Sequence, residues 1–270
     1  MTNITAEDPL PPKSGETIGK RIRLPRSRRL IEDALRYSRK LPTQAIVRHC
    51  HIVPLFRMRS TVSPRISWAT LFMKAYALVA ERHRELRWSY MSWPWPHLYE
   101  HPYNIARMTV ARIHEEERWV FVARFIRPEN LTLVELQQRI DAVKNLPIES
   151  IPRFRSQLRY SRVPRPLRRV MWWFPHLFGG MRATRFGTIG LTTVSSRGGI
   201  SIHPPSVSTT TLTFGPVNQA GDVRVTLVYD HRVLDGSTIA DFLAELEDTL
   251  NGQIFDELQA LSPLKVTANR

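Results

Sequence analysis

The 270-residue chain has a single cysteine, Cys50. An intramolecular disulfide and any multi-cysteine zinc site are therefore excluded. Acids are scarce too: 24 Asp and Glu stand against 39 Lys and Arg, a formal charge of +15. The deficit is local, because residues 150–220 hold no Asp or Glu at all. No uncharged apolar run approaches the roughly 18–20 residues that span a bilayer. No apolar run follows the first basic residues, so no secretory signal is expected. Neither a phosphate-cradling glycine loop nor a dinucleotide fingerprint is present. The expected setting is a reduced, cytoplasmic one.

Hydrophobic residues make up 42% of the chain and seven tryptophans are present, which fits a globular protein. The length suffices for one good core. A charge of this sign attracts nucleic acid, anionic lipid, the phosphates of coenzyme A or an acidic carrier protein. Residues 150–185 concentrate it, with Arg153, Arg155, Arg159, Arg162 and Arg185 among nine arginines, interleaved with Trp172, Trp173, Phe174, Leu177 and Phe178. The first reading is a solvated helix with its aromatic side packed on the body. Peripheral membrane contact comes second, weakened by the helix-breaking Pro152, Pro164, Pro166 and Pro175. Nucleic acid is the least favoured partner.

Along the chain, residues 1–18 and 263–270 are expected to be tails around one domain, 19–262. A helix is predicted from Ser27 to about Lys40, a strand from Ala45 to Phe56, and a helix from Trp68 to His83 introduced by Ser67. Arg87 to Tyr103, rich in Trp and Pro, is expected to be irregular. Two alternating strands, Tyr103–Ala111 and Trp119–Phe125, form a hairpin whose tip, His114-Glu115-Glu116-Glu117, is a solvated turn. A helix from Leu131-Thr132 to about Lys144 follows. His49 and His51 share a strand face, but no third metal ligand is indicated, so no metal site is expected.

The chemistry concentrates in Val223–Gly236. Val223, Val225, Leu227, Tyr229 and His231 alternate onto one strand face. Asp235-Gly236-Ser237 then turns into a helix with Ile239, Phe242, Leu243, Leu246 and Leu250 on one side, predicted to stop at Asn251-Gly252. A histidine carried to a strand end and locked by a turn is a fitting mount for a general base.

Asp230-His231-Arg232-Val233-Leu234-Asp235-Gly236 resembles the D-H-R-x-x-D-G signature of the 2-oxoacid dehydrogenase acyltransferases, whose fold and signature chloramphenicol acetyltransferase shares. Gly187 to Ser196 resembles the family's segment that supplies an active-site hydroxyl, here Thr193 or, in the other register, Thr192. Small hydroxyl residues replace its Ser-Asn pair. Thr209 to Gly215 resembles the following strand, with Thr211 and Thr213 as candidate substrate-lining residues. The resemblance, covering about 20–260, implies an α/β fold of the chloramphenicol acetyltransferase type, a mixed sheet flanked by helices. It implies a homotrimer with no covalently bound cofactor, in which His231 of one chain acts as base and a threonine of its neighbour steadies the oxyanion. The donor would be an acyl-CoA or acyl-carrier-protein thioester. Asp235 and Gly236 would support the site structurally, Asp235 turned away from the imidazole and paired with Arg28 or Arg29. Two other readings stand beside this one: a non-catalytic basic protein of the same fold, and a 2-oxoacid dehydrogenase core whose lipoyl domain comes in trans.

Overall fold

The structure, a computed structural model, describes residues 19–262; the two tails expected at 1–18 and 263–270 lie outside the described residues. Helix α1 (Arg26–Ser38) leads into strand β1 (Thr43–His51), helix α2 (Val53–Thr61) and helix α3 (Trp68–Arg82). The predicted strand to Phe56 is thus cut short at His51, because Pro54 falls in the first turn of α2, where a missing N–H costs nothing. Ser67 caps α3 as the sequence suggests, accepting from the Thr70 N–H.

The segment expected to be irregular contains a short hairpin, β2 (Trp88–Met91) and β3 (His97–Glu100). Strands β4 (Ile105–His114) and β5 (Glu117–Ile126) form the predicted hairpin. Helix α4 (Leu133–Asn145) opens with a full capping box between Thr132 and Glu135. The arginine-rich stretch folds as three proline-punctuated helices, α5 (Pro152–Arg162), α6 (Arg165–Trp173) and α7 (Gly179–Phe186). Strands β6 (Ile189–Leu191), β7 (Thr210–Phe214) and β8 (Asp222–Asp230) complete the sheet, and α8 (Gly236–Thr249) and α9 (Phe255–Ala260) follow. No described helix is long and apolar enough to cross a membrane.

The six-stranded sheet runs β1-β8-β7-β6-β4-β5. β6 is parallel to both neighbours and the other pairs are antiparallel, so the sheet is mixed. One face carries Met108, Phe121, Leu191, Leu212, Val225 and Leu227 into the main core, filled from the other side by α3, α4 and α8. Gln157 of α5 exchanges hydrogen bonds with both the N–H and C=O of Val122, standing in for a strand partner on β5. The α8 helix does not stop at Asn251-Gly252. It widens into a π turn over Leu250–Ile254 and continues as α9, because Leu250, Ile254 and Leu258 keep one buried stripe.

Candidate active site

β8 ends at Asp230, and His231 begins the turn into α8. The turn is one helical loop: the Val233 and Leu234 N–H groups both donate to the Asp230 carbonyl, at 2.9 and 3.2 Å. The His231 N–H donates to Pro42 O at 3.1 Å, which ties the turn to the start of β1. The imidazole is in phase with the core side of β8, yet it lies past the strand and its side chain keeps 48% of its exposure. Its ring leans on Tyr229 at 5.5 Å between centroids. A base that must meet substrate needs that combination of fixed backbone and open ring.

Two carboxylates flank this histidine and they differ. Asp230 is fully buried and accepts from Arg232 through both oxygens, at 2.9 and 2.6 Å. Its acceptor bonds hold the Arg232 guanidinium above its ordinary pKa. Arg232 also lies over the Tyr90 ring at 4.2 Å. Asp235 is 79% exposed, with Oδ1 3.6 Å from His231 Nδ1. The expectation that Asp235 turns away from the imidazole and pairs with Arg28 or Arg29 is therefore corrected. The turn brings the His231 and Asp235 side chains within 3.6 Å of each other, while Arg29 Nη1 donates to the Ser161 carbonyl at 3.0 Å. Gly236 opens α8, and a Cβ there would meet Ile46 at 3.4 Å and the Tyr229 hydroxyl at 3.5 Å, an ordinary fit. The buried Asp230–Arg232 clamp is the feature that sequence reasoning missed; spacing alone does not say which acid of the turn is inside.

The candidate hydroxyls lie beyond the end of β6. Thr192 Oγ1 is 2.8 Å from Thr109 Oγ1. Thr193 Oγ1 is 2.9 Å from both Phe214 O and Ser195 Oγ, and it accepts the Ser195 N–H at 3.1 Å. Both threonines are half-buried. Thr211 and Thr213 on β7 are enclosed; Thr211 shares a hydrogen bond with Ser206 at 2.7 Å, whereas the Thr213 hydroxyl has no partner among the described residues. Gly190 lets Thr211 in, since a Cβ there would come within 2.6 Å of Thr211 Oγ1.

No family model and no curated relative matches the chain. Solved structures do. A dihydrolipoamide acetyltransferase from Azotobacter vinelandii is 17% identical, with TM-score 0.60 over 91% of this chain and 98% of that one. A probable dihydrolipoamide acetyltransferase from Listeria monocytogenes is 14% identical, with TM-score 0.59 over 91% and 96%. The cubic core of a pyruvate dehydrogenase multienzyme complex is 16% identical, with TM-score 0.59 over 91% and 98%. The chain has the fold of dihydrolipoamide acetyltransferase cores.

On this acetyltransferase-type sheet the two halves of the expected site stand apart. Thr193 reaches Phe214 O, and Phe214 pairs with Val225 on β8. His231 lies six residues further along β8, so at strand rise it is about 20 Å from that point. Within one chain, His231 and Thr193 do not meet. Cys50 takes no part: it is buried, and its thiol is pushed up to about 12, chiefly by desolvation.

Proposed function

We propose that this protein is an acyltransferase that moves an acyl group from a thioester to a hydroxyl, thiol or amine acceptor. The observation that carries this reading is the His231 turn: an open imidazole on a backbone-locked strand end, in the fold of acetyltransferase cores. The imidazole takes the proton of the acceptor as that group attacks the thioester carbonyl. A hydroxyl then donates to the oxyanion of the tetrahedral intermediate, and collapse expels the thiolate, which recovers the proton from His231. Thr193 is the proposed donor, Thr192 the other register. Because neither lies near His231 of its own chain, the hydroxyl comes from a second copy, and a homotrimer supplies it. Two features support this assembly: the separation of about 20 Å along β8, and the kinship in fold with a cubic core, a shape with threefold axes. The Azotobacter enzyme has been examined for catalytic roles of a serine, a histidine and an asparagine four residues after the histidine. Asp235 stands at that same offset from His231.

The proposed donor is a coenzyme A or carrier-protein thioester, with no covalently bound cofactor. A screen of acyl-CoA donors against varied acceptors, read by mass spectrometry on wild type and His231→Ala, tests the reading. Turnover lost in an intact trimeric His231→Ala supports it; full activity of that variant sinks it. Including free dihydrolipoamide among the acceptors tests the narrower reading, which the fold kinship favours, of a dehydrogenase-complex core served by a lipoyl domain in trans.

A further inference from the structure

On the sheet face opposite the main core, Arg107 of β4 stands directly across from Arg124 of β5. Like charges in that relation repel. Arg153 of α5 and Arg185 of α7 close over them and line, with Arg107, a cavity of about 110 Å³ walled by Tyr160, Trp172 and Phe186. A wider opening of about 370 Å³ beside it shares Arg153 and Arg185 and adds Arg124. None of the four guanidinium groups has an acidic partner among the described residues. The Nε atoms of Arg107 and Arg153 are buried without any hydrogen-bond partner. Two bonds order the cluster: Arg153 Nη2 donates to Arg185 O at 2.7 Å, and Arg124 Nη1 donates to Thr184 O. These tie the guanidinium groups to the end of α7 without neutralising any charge. Arg107 and Arg153 are both pushed down to about 10, by burial first and, for Arg153, then by the other three arginines. Even so, they stay charged at neutral pH. Uncompensated buried charge of one sign is costly, and an anion in the cavity would offset it.

We propose that Arg107, Arg124, Arg153 and Arg185 form a binding site for a phosphate-bearing ligand whose flat or apolar part rests on Tyr160, Trp172 and Phe186. Forked guanidinium groups suit phosphate oxygens better than any single cation does, and the aromatic wall suits a nucleobase or an acyl chain. The cluster is not part of its own chain's His231 turn, since β4 is three strands from β8, about 14 Å across the sheet; it lies nearer the hydroxyl half, where Thr109 of β4 bonds to Thr192. It does not rest on the acyl-transfer reading.

The test uses the full chain and inorganic pyrophosphate, followed by thermal unfolding and calorimetry. At a hundredfold excess over its Kd, pyrophosphate should raise the melting temperature by about 5 °C or more. Arg107→Met and Arg185→Ala should each lose at least tenfold in affinity, while the exposed Arg197→Ala keeps it. His231→Ala should respond like wild type, which separates phosphate binding from the proposed base. ADP and vesicles of phosphatidic acid, with adenosine and phosphatidylcholine vesicles as controls, then distinguish a soluble phosphate ester from a lipid headgroup. No response of wild type to pyrophosphate overturns the proposal, and so does a response unchanged in both arginine variants.

Discussion

Charge is treated in opposite ways in two regions of this molecule. At the β8–α8 turn every charged group has a counterpart: Arg232 grips buried Asp230, and Asp235 faces His231. Between the layer of α5, α6 and α7 and the strands beneath it, buried Arg168 is treated the same way, and four other arginines are not. Arg168 is buried beside Asp33, its Nε donating at 2.7 Å. Arg107, Arg124, Arg153 and Arg185 face one another instead. The paired arginine is scaffold, since its charge is already satisfied. The unpaired ones hold charge in reserve for something that arrives.

The largest expected effect is at the turn: His231→Ala should lower kcat about 10²–10⁴-fold with folding unchanged, measured by single-donor kinetics. Next is the scaffold pair. Asp33→Ala removes the near partner of buried Arg168, leaving it only the Glu32 carboxylate at 3.7 Å, and should cost about 3 kcal/mol in denaturant unfolding. Arg107→Met should instead leave the unliganded protein as stable or more so; an equal loss from both would erase the distinction between paired and unpaired arginines. Of the two threonines, the one whose replacement by valine lowers kcat about 10²–10³-fold is the oxyanion donor. The other should change kcat little.

His176 gives a pH dependence. It is stacked between Tyr37 at 3.6 Å and Phe186 at 4.4 Å, both ring nitrogens unpartnered, and burial followed by nearby cations pushes it down to about 2. The unfolded chain takes up a proton at this histidine below about pH 6.5, and the native chain does not. Stability therefore falls as pH drops from 7 to 5, by up to about 1.4 kcal/mol per pH unit at full effect. His176→Phe should flatten that slope in urea titrations at pH 5, 6 and 7. The smallest effect is Asp235→Asn, a change at an exposed pair, expected to alter stability by less than about 1 kcal/mol.

What the chain reveals before folding depends on how local the determinants are. Ser67 before α3, and Thr132 with Glu135 before α4, announce their helices within four residues. His231 is legible for the same reason, as strand, turn and helix follow one another directly. Asp235 is misread because its partner depends on whether 230–234 extend or coil, and the bonds to the Asp230 carbonyl decide that. The β2–β3 hairpin is hidden by Pro94 and Pro96 in its connection, which look like a break in structure and are a loop between two short strands. The four-arginine cluster is the least legible part. Its members come from β4, β5, α5 and α7, and strand register alone sets Arg107 against Arg124.

The separation of His231 from Thr193 along β8 also has a genetic meaning. In the shared site proposed above, a chain lacking the base would still lend its hydroxyl, and a chain lacking the hydroxyl would still lend its base. Two inactive variants, His231→Ala and the threonine variant, should therefore complement each other when refolded together, each contributing the half that the other has lost. Such rescue is open only to a protein whose working unit is shared between copies.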